Sequence, residues 1–200
     1  MEYENPANYL DLRSKWRAFA DASCDVVYAS HVFEHLTVDA ASHFLHEARR
    51  VLRWGGALRI IVPDLRVIAE EYLDNAAAEE TAVSAADRFL YELNLHREST
   101  YGSGGLKYLV GMLQGFPHQH KYMYDKASLR KIVTAHGFSD VTFSSYGTSS
   151  KIPDIQKLEC TREGISSLYL EAEKSANIEL KRSLSVERSG DTASVSSVAT

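Results

Sequence analysis

The chain has 200 residues, 44% of them hydrophobic and 24% charged, a composition typical of a globular protein and not of a disordered chain. Lys and Arg total 22 against 27 Asp and Glu, so the formal net charge of −5 argues against a partner rich in phosphate, whether nucleic acid or membrane. Two cysteines, Cys24 and Cys160, are too few for a disulfide framework, and no run approaches the roughly 18 apolar residues of a membrane span, so we expect a cytoplasmic protein.

The first half of the chain has a strand, helix, strand pattern. Residues 24–30 include three consecutive apolar side chains, as expected of a strand covered on both faces. Thr37 can cap a following helix, because apolar residues recur at helical spacing over 38–52. Trp54-Gly55-Gly56 ends this helix, and residues 57–62 repeat the pattern of a buried strand. The sequence therefore predicts a right-handed βαβ unit.

The next part of the chain is less regular. Helices are predicted over 65–73 and 76–91, and the glycine-rich stretch 94–116 has no clear periodicity. We therefore assign residues 75–124 to an insertion or cap within the domain.

A helix and two strands are predicted to close the domain. Asp125 can cap the helix and Gly137 can end it in a left-handed turn. Strands are predicted over 141–145 and 168–172, as an antiparallel pair. Residues 175–200 are rich in Ser and contain no aromatic side chain, so residues 1–174 are predicted to fold and the rest to form a disordered tail.

The segment His31-Val-Phe-Glu34-His35 matches the H-x-x-E-H pattern of a class of zinc peptidases. That pattern belongs in the middle of a helix, whereas this segment connects a strand end at Ser30 with a helix cap at Thr37. A zinc peptidase is therefore the minor alternative. His118 and His120 could supply further ligands, but a histidine pair in a loop is more often a packing feature, so no metal ligand is assigned.

Three segments taken together, 25–36, 47–56 and 58–64, resemble the second half of a class I S-adenosylmethionine-dependent methyltransferase of the type 11 kind. The predicted helix and strand pair after Asp125 are similar to the end of the same fold, so the resemblance covers about residues 9–174. It implies an α/β, Rossmann-like sheet. The family's strand order is 3-2-1-4-5-7-6, in which residues 24–30 would be strand 4 and residues 58–62 strand 5, with strands 4-5-7-6 retained.

The resemblance also implies what this chain would lack. The family's Gly-rich cofactor loop and the acidic residue after strand 2 would both lie upstream of Met1, so we expect an N-terminally truncated domain with impaired activity. Strand 4 would then be an exposed sheet edge, suited to a protein partner or a second copy of the chain.

The resemblance assigns S-adenosyl-L-methionine as the cofactor and suggests where it binds. Asp11 and Leu12 resemble the acidic and apolar pair that holds the adenine amino group, while Ala29, Ser30 and His31 would lie beside the methionine part. His31 is also the first candidate for a general base. The remaining candidates line an expected acceptor pocket: Tyr101, Tyr108, His118, His120 and Tyr122.

Two functions of different classes follow from this resemblance. The first is methyl transfer to a small-molecule or glycan-type acceptor, in which the cofactor carries the electrophile and the protein positions the acceptor. The second is a non-catalytic module that pairs with a partner through the exposed strand edge.

Overall fold

The computed structural model describes residues 11–77, 79–94, 119–159 and 166–175. The predicted tail beyond Ser175 and the candidate residues Tyr101, Tyr108 and His118 lie outside these ranges. In chain order the elements are β1 (Cys24–Ser30), a short 3-10 helix (Phe33–His35), α1 (Val38–Val51), β2 (Leu52–Pro63), α2 (Leu65–Ala76), α3 (Glu79–Glu92), α4 (Lys126–Ala135), β3 (Ser139–Ser144), a second 3-10 helix (Ile155–Lys157) and β4 (Ser167–Glu173).

The four strands form one mixed sheet in the order β1-β2-β4-β3. β1 and β2 are parallel and are joined by α1, which confirms the predicted βαβ unit. β4 runs antiparallel to both of its neighbours, β2 and β3. If β1 is numbered as strand 4, this order is 4-5-7-6, as the resemblance implied.

β2 begins earlier than predicted, because the Trp54-Gly-Gly turn is absorbed into the strand. Cys24 pairs with Leu52 and Val26 with Ala57, so the register shifts within this stretch. Gly55 has a φ of +77°, a conformation that glycine adopts at little cost, and its amide donates to the carbonyl of Lys174 at 2.9 Å. The glycine pair therefore forms an irregularity in the sheet and not a loop between helix and strand.

The core lies mainly on one face of the sheet. Alternate residues of β2, including Leu58 and Ile60, pack in one buried cluster with residues of α1 and α4. On the opposite face, Ala57 packs with Ile152 and Ile155 of the segment before β4. Both faces of β2 are covered, which accounts for the continuous apolar run in its sequence.

The helix ends follow the capping signals in the sequence. Thr37 Oγ1 accepts a hydrogen bond from the Ala40 amide, and Asp125 and Ser128 form a reciprocal capping box at the start of α4. Gly137, with a φ of +85°, ends α4 in the predicted left-handed turn. Both helices therefore begin at the predicted residues.

Helices α2 and α3 and the edge strand β1 complete the described structure. α2 and α3 confirm the helices predicted near 65–73 and 76–91. Among the described residues, β1 pairs with β2 alone, so β1 is an edge strand there. No helix in the described ranges has the length and apolar character needed to cross a membrane.

Candidate functional site

An open cavity of about 600 Å³ lies where β1 ends. Its lining comes from four places: the segment before β1, the turn after β1, the start of α1 and the loop before α4. The lining residues are Asp11, Leu12, Arg13, His31, Val32, His35, Leu36, Thr37, Ala40 and Lys121. The cavity thus brings Asp11 and Leu12 together with His31, three residues that the resemblance assigned to one cofactor site.

His31 makes the sharp turn that opens this cavity. Its φ is +51°, an uncommon backbone conformation for a residue with a side chain. Its amide donates to the Ile61 carbonyl at 2.9 Å, which continues the β1–β2 ladder by one residue. The backbone then leaves the sheet, and Phe33–His35 form the 3-10 helix that leads to α1.

Asp11 presents its carboxylate at the rim of the cavity. Arg13 donates from its amide and from Nε to the same oxygen, Oδ1, at 3.0 and 3.1 Å. These hydrogen bonds hold the pKa of Asp11 below its usual value, so the carboxylate is ionised at neutral pH. The second oxygen, Oδ2, takes no part in either bond and can accept a hydrogen bond from a ligand.

The other predicted cofactor residues lie beside the cavity and not in its lining. The Ala29 side chain is buried in the main core cluster, and Ser30 is half-buried at the end of β1. Any contact of these two residues with a cofactor would therefore come from their backbone, which stays a prediction.

Of the predicted acceptor-pocket residues, the structure describes His120 and Tyr122. His120 packs edge-on against His35, with ring centroids 4.9 Å apart. Tyr122 is exposed and packs against Tyr124, with ring centroids 4.7 Å apart. Neither residue lines the cavity, but their neighbour Lys121 does.

Glu34 is the buried acid of the site. Its side chain is 1% exposed, and its Oε1 lies 3.4 Å from His31 Nδ1 and 3.9 Å from His35 Nε2. The backbone carbonyl of the same residue accepts from the amides of Lys121 and Tyr122 at 2.7 and 3.2 Å. Glu34 therefore joins the turn after β1 to the loop before α4.

Sequence reasoning missed several residues of the cavity, namely Arg13, Val32, Leu36, Thr37, Ala40 and Lys121. The position of Lys121 in the cavity could not be predicted, because 87 positions separate it from Glu34 and no local pattern indicates that the two loops meet. A signal did exist for Glu34, a carboxylate placed directly after Val32 and Phe33 in a short turn. Charged groups are seldom fully buried without a partner, so such a position indicates a constrained site.

The segment that matches the zinc-peptidase pattern does not form the helix that such an enzyme requires. β1 ends at Ser30, His31 has a positive φ, and a single 3-10 turn carries Glu34 and His35. The two histidines are therefore not presented one turn apart on an α-helix. This geometry argues against the peptidase alternative, as the sequence context did.

Residues 7–60 match the sequence model of a protein family described as a methyltransferase domain. No curated protein is significantly similar in sequence to the chain. Similar solved structures include the CurJ carbon methyltransferase (TM-score 0.42, 13% identity, covering 84% of this chain and 34% of that chain). A SAM-dependent methyltransferase from Thermotoga maritima has a TM-score of 0.41 and 17% identity, and the match covers 78% of this chain and 59% of that chain. One from Archaeoglobus fulgidus has a TM-score of 0.40 and 16% identity, and the match covers 78% of this chain and 62% of that chain.

This chain spans less than two thirds of the length of each of these three solved chains. At these TM-scores the likeness identifies neither a function nor an acceptor. The strand order of the sheet, β1-β2-β4-β3 with β4 antiparallel, agrees independently with the end of the class I methyltransferase fold. Residues 7–60 are therefore similar to a methyltransferase domain, and the sheet of the described residues has the strand order that this resemblance implies.

Proposed function

We propose that this chain takes part in S-adenosylmethionine-dependent methyl transfer and that the cavity at the end of β1 holds part of the cofactor. The observation that carries the proposal is the meeting of Asp11, Leu12 and His31 in one cavity. In open α/β sheets, ligands bind in the crevice outside the carboxyl ends of the parallel strands, where this cavity lies.

The residues present fit the adenine end of such a cofactor. Asp11 offers Oδ2 as an ionised acceptor for an amino group, since both bonds from Arg13 go to Oδ1. Leu12 is half-buried against the core and offers an apolar surface to a flat ring. When bound, the cofactor supplies a methyl group on a sulfonium, which an acceptor displaces in line. The protein contributes orientation and exclusion of water.

The acceptor that we propose is a small molecule or a glycan-type compound. The excess of acidic over basic residues disfavours nucleic acid, and the cavity is of the size that takes a compact ligand. Removal of an acceptor proton by His31 stays a prediction, and the proposal does not depend on it.

A second candidate is a non-catalytic module whose β1 edge pairs with a partner. Among the described residues, β1 has one neighbouring strand, and Val26, Val27 and Tyr28 on it are half-buried. A strand at the edge of a sheet can accept a strand from another chain. The two candidates differ in whether the full chain transfers a methyl group without a partner.

The test of the catalytic proposal uses the full chain, cofactor labelled with tritium on the methyl group, and separate pools of small-molecule, glycan, protein and RNA acceptors. Asp11→Asn removes the proposed acceptor for the adenine amino group, and we expect transfer at subsaturating cofactor to fall about tenfold, the usual cost of a hydrogen bond to a charged group. Asp25→Asn is the matched control, because Asp25 is an exposed aspartate that pairs with Arg53 away from the cavity.

Three results would count against the proposal. Absence of labelled product from every pool would reject catalysis by this chain and favour the partner-dependent module. Equal loss of transfer in Asp11→Asn and Asp25→Asn would reject the cofactor role of Asp11. Label found in protein or RNA alone would reject the proposed acceptor class and leave methyl transfer in place.

A further inference from the structure

Glu34, His35 and His120 bring three metal-binding atoms together beside the cavity. One carboxylate oxygen and one nitrogen from each imidazole all lie within 4.8 Å of one another. Eighty-four positions separate His35 from Gln119, the neighbour of His120, so this cluster is a product of the tertiary fold. Two imidazoles and one carboxylate form a donor set that occurs at zinc sites with an open coordination position.

The Glu34 carboxylate lacks the partner that its burial requires. The residue is 0% exposed, and neither carboxylate oxygen accepts a hydrogen bond within the described part of the chain. A buried carboxylate without hydrogen bonds or a cation is strongly disfavoured. The groups that face Oε1 are imidazole nitrogens at 3.4 and 3.9 Å, too distant for good hydrogen bonds. Ligand atoms about 2.1 Å from a shared ion lie roughly 3 to 4 Å apart, which agrees with the 3.9 Å between Glu34 Oε1 and His35 Nε2.

The hydrogen bond made by His35 also favours a cation beside Glu34. Its Nδ1 lies 3.2 Å from the carbonyl oxygen of Gln119, and a carbonyl can only accept, so Nδ1 is the donor. In the neutral ring the lone pair is then on Nε2, which faces Glu34 Oε1. Two electron-rich atoms that face each other are stabilised by a cation between them. Metal-binding histidines characteristically use their other nitrogen to donate to a backbone carbonyl, as Nδ1 does here.

The loop that carries His120 is fixed to the same residue. The amides of Lys121 and Tyr122 donate to the Glu34 carbonyl at 2.7 and 3.2 Å, and the His120 ring packs edge-on against His35. The backbone thus holds His120 close to the other two ligands without a metal ion. A preformed set of ligands lowers the cost of ordering them when an ion binds.

We propose that Glu34, His35 and His120 bind one zinc ion, with an open coordination position on the side of the cavity. Zinc fits because imidazole nitrogen suits zinc, whereas Mg²⁺ and Ca²⁺ prefer sites made wholly of oxygen. His35 lines the cavity as well as contributing to the cluster, so a ligand in the cavity can reach the ion. His31 Nδ1 lies 3.4 Å from the same carboxylate but is not one of the three proposed ligands.

The experiment titrates the purified full chain with zinc chloride in competition with a chromophoric chelator, after metal has been removed. We expect one zinc ion per chain in the wild type. Cobalt(II) in place of zinc should give the visible absorption bands of a site with nitrogen and oxygen ligands. Glu34→Gln and His120→Ala should each weaken zinc binding about tenfold or more and should abolish the cobalt spectrum.

His46→Ala is the matched control, because His46 is an exposed histidine that packs against His136 away from the cluster. This variant should bind zinc as the wild type does. Thermal melts without metal exclude misfolding as the cause of any loss, and Glu34→Gln should melt no lower than the wild type, since it removes a buried charge. The proposal is overturned if the wild type binds no zinc, if Glu34→Gln and His120→Ala bind it normally, or if His46→Ala weakens it equally.

Discussion

Arg59 and Glu159, one hundred positions apart in the chain, form an ion pair that is completely enclosed by the protein. Arg59 Nε donates to Glu159 Oε1 at 2.9 Å, and its NH1 group donates to Ser144 Oγ at 2.6 Å. Glu159 Oε2 accepts from the Gly147 amide at 2.6 Å. One charged cluster thus joins β2, β3 and the loop segments before β4.

We expect Arg59→Met to destabilise the protein by about 3–5 kcal/mol, because Glu159 would remain buried without its cation. Urea unfolding followed by circular dichroism gives the free energy of unfolding. Arg53→Met is the control, since Arg53 pairs with Asp25 at the surface, where both side chains are mostly exposed, and the variant should cost less than about 1 kcal/mol. Similar losses in the two variants would show that the enclosed pair is not a principal source of stability.

Glu47 gives the fold an acid-sensitive connection between α1 and the segment before β1. Its carboxylate accepts from the Arg50 side chain at 2.8 and 3.0 Å and from the Trp16 amide at 2.7 Å. The Arg50 hydrogen bonds, followed by the one from Trp16, lower the pKa of Glu47 from 4.5 to about 2. A carboxyl whose pKa is lower in the folded state stabilises the protein above its unfolded pKa, and that stability is lost as the pH falls through the folded value.

Glu47→Gln should therefore lower the free energy of unfolding by a constant amount above about pH 5, and the difference from the wild type should shrink between pH 4.5 and 2. Urea unfolding at several pH values measures this. Glu70→Gln serves as the control, because Glu70 lies in an exposed pair with Arg66 on α2 and should alter stability little at any pH. A Glu47→Gln difference that stays unchanged down to the lowest pH would contradict the account.

Gly137 combines a left-handed backbone with a close neighbour. Its φ is +85°, and an added Cβ would lie 2.8 Å from Arg49 Nε, the group that donates to the Gly137 carbonyl. We expect Gly137→Ala to cost about 1–2 kcal/mol for the backbone alone and more for the displaced guanidinium.

Gly147→Ala separates these two effects. Gly147 also has a positive φ, +65°, but an added Cβ there meets only Gln156 Cβ at 3.6 Å, an ordinary contact. Thermal unfolding should therefore show a larger loss for Gly137→Ala than for Gly147→Ala. Equal losses would mean that Arg49 moves aside freely.

The sheet could be predicted from the sequence because its signals are local. The apolar runs of β1 and β2 and the cap at Asp125 each depend on a few neighbouring residues, and all three were found near their predicted positions. The start of β2 was predicted five residues late. The reason is that Gly55 and Gly56 indicate a turn in sequence, whereas the structure uses them within an irregular strand.

The candidate site could be predicted only in part, because its residues come from distant segments. Asp11 and His31 were assigned through a family resemblance, and no local pattern links them. The ion pair between Arg59 and Glu159 could not be predicted from the sequence. A single charge between Leu58 and Ile60 does not indicate which distant carboxylate will pair with it. Tertiary pairing of charges is not encoded in any short window of sequence.

The central claim is that the cavity at the end of β1 binds the cofactor. Its most direct test is a thermal melt of the full chain with increasing S-adenosylhomocysteine, with S-inosylhomocysteine, which lacks the adenine amino group, as the control ligand. A ligand that binds only the folded state raises the midpoint by mass action. We predict a midpoint that rises with S-adenosylhomocysteine and rises less with the control. A cooperative transition that neither ligand moves would contradict the account.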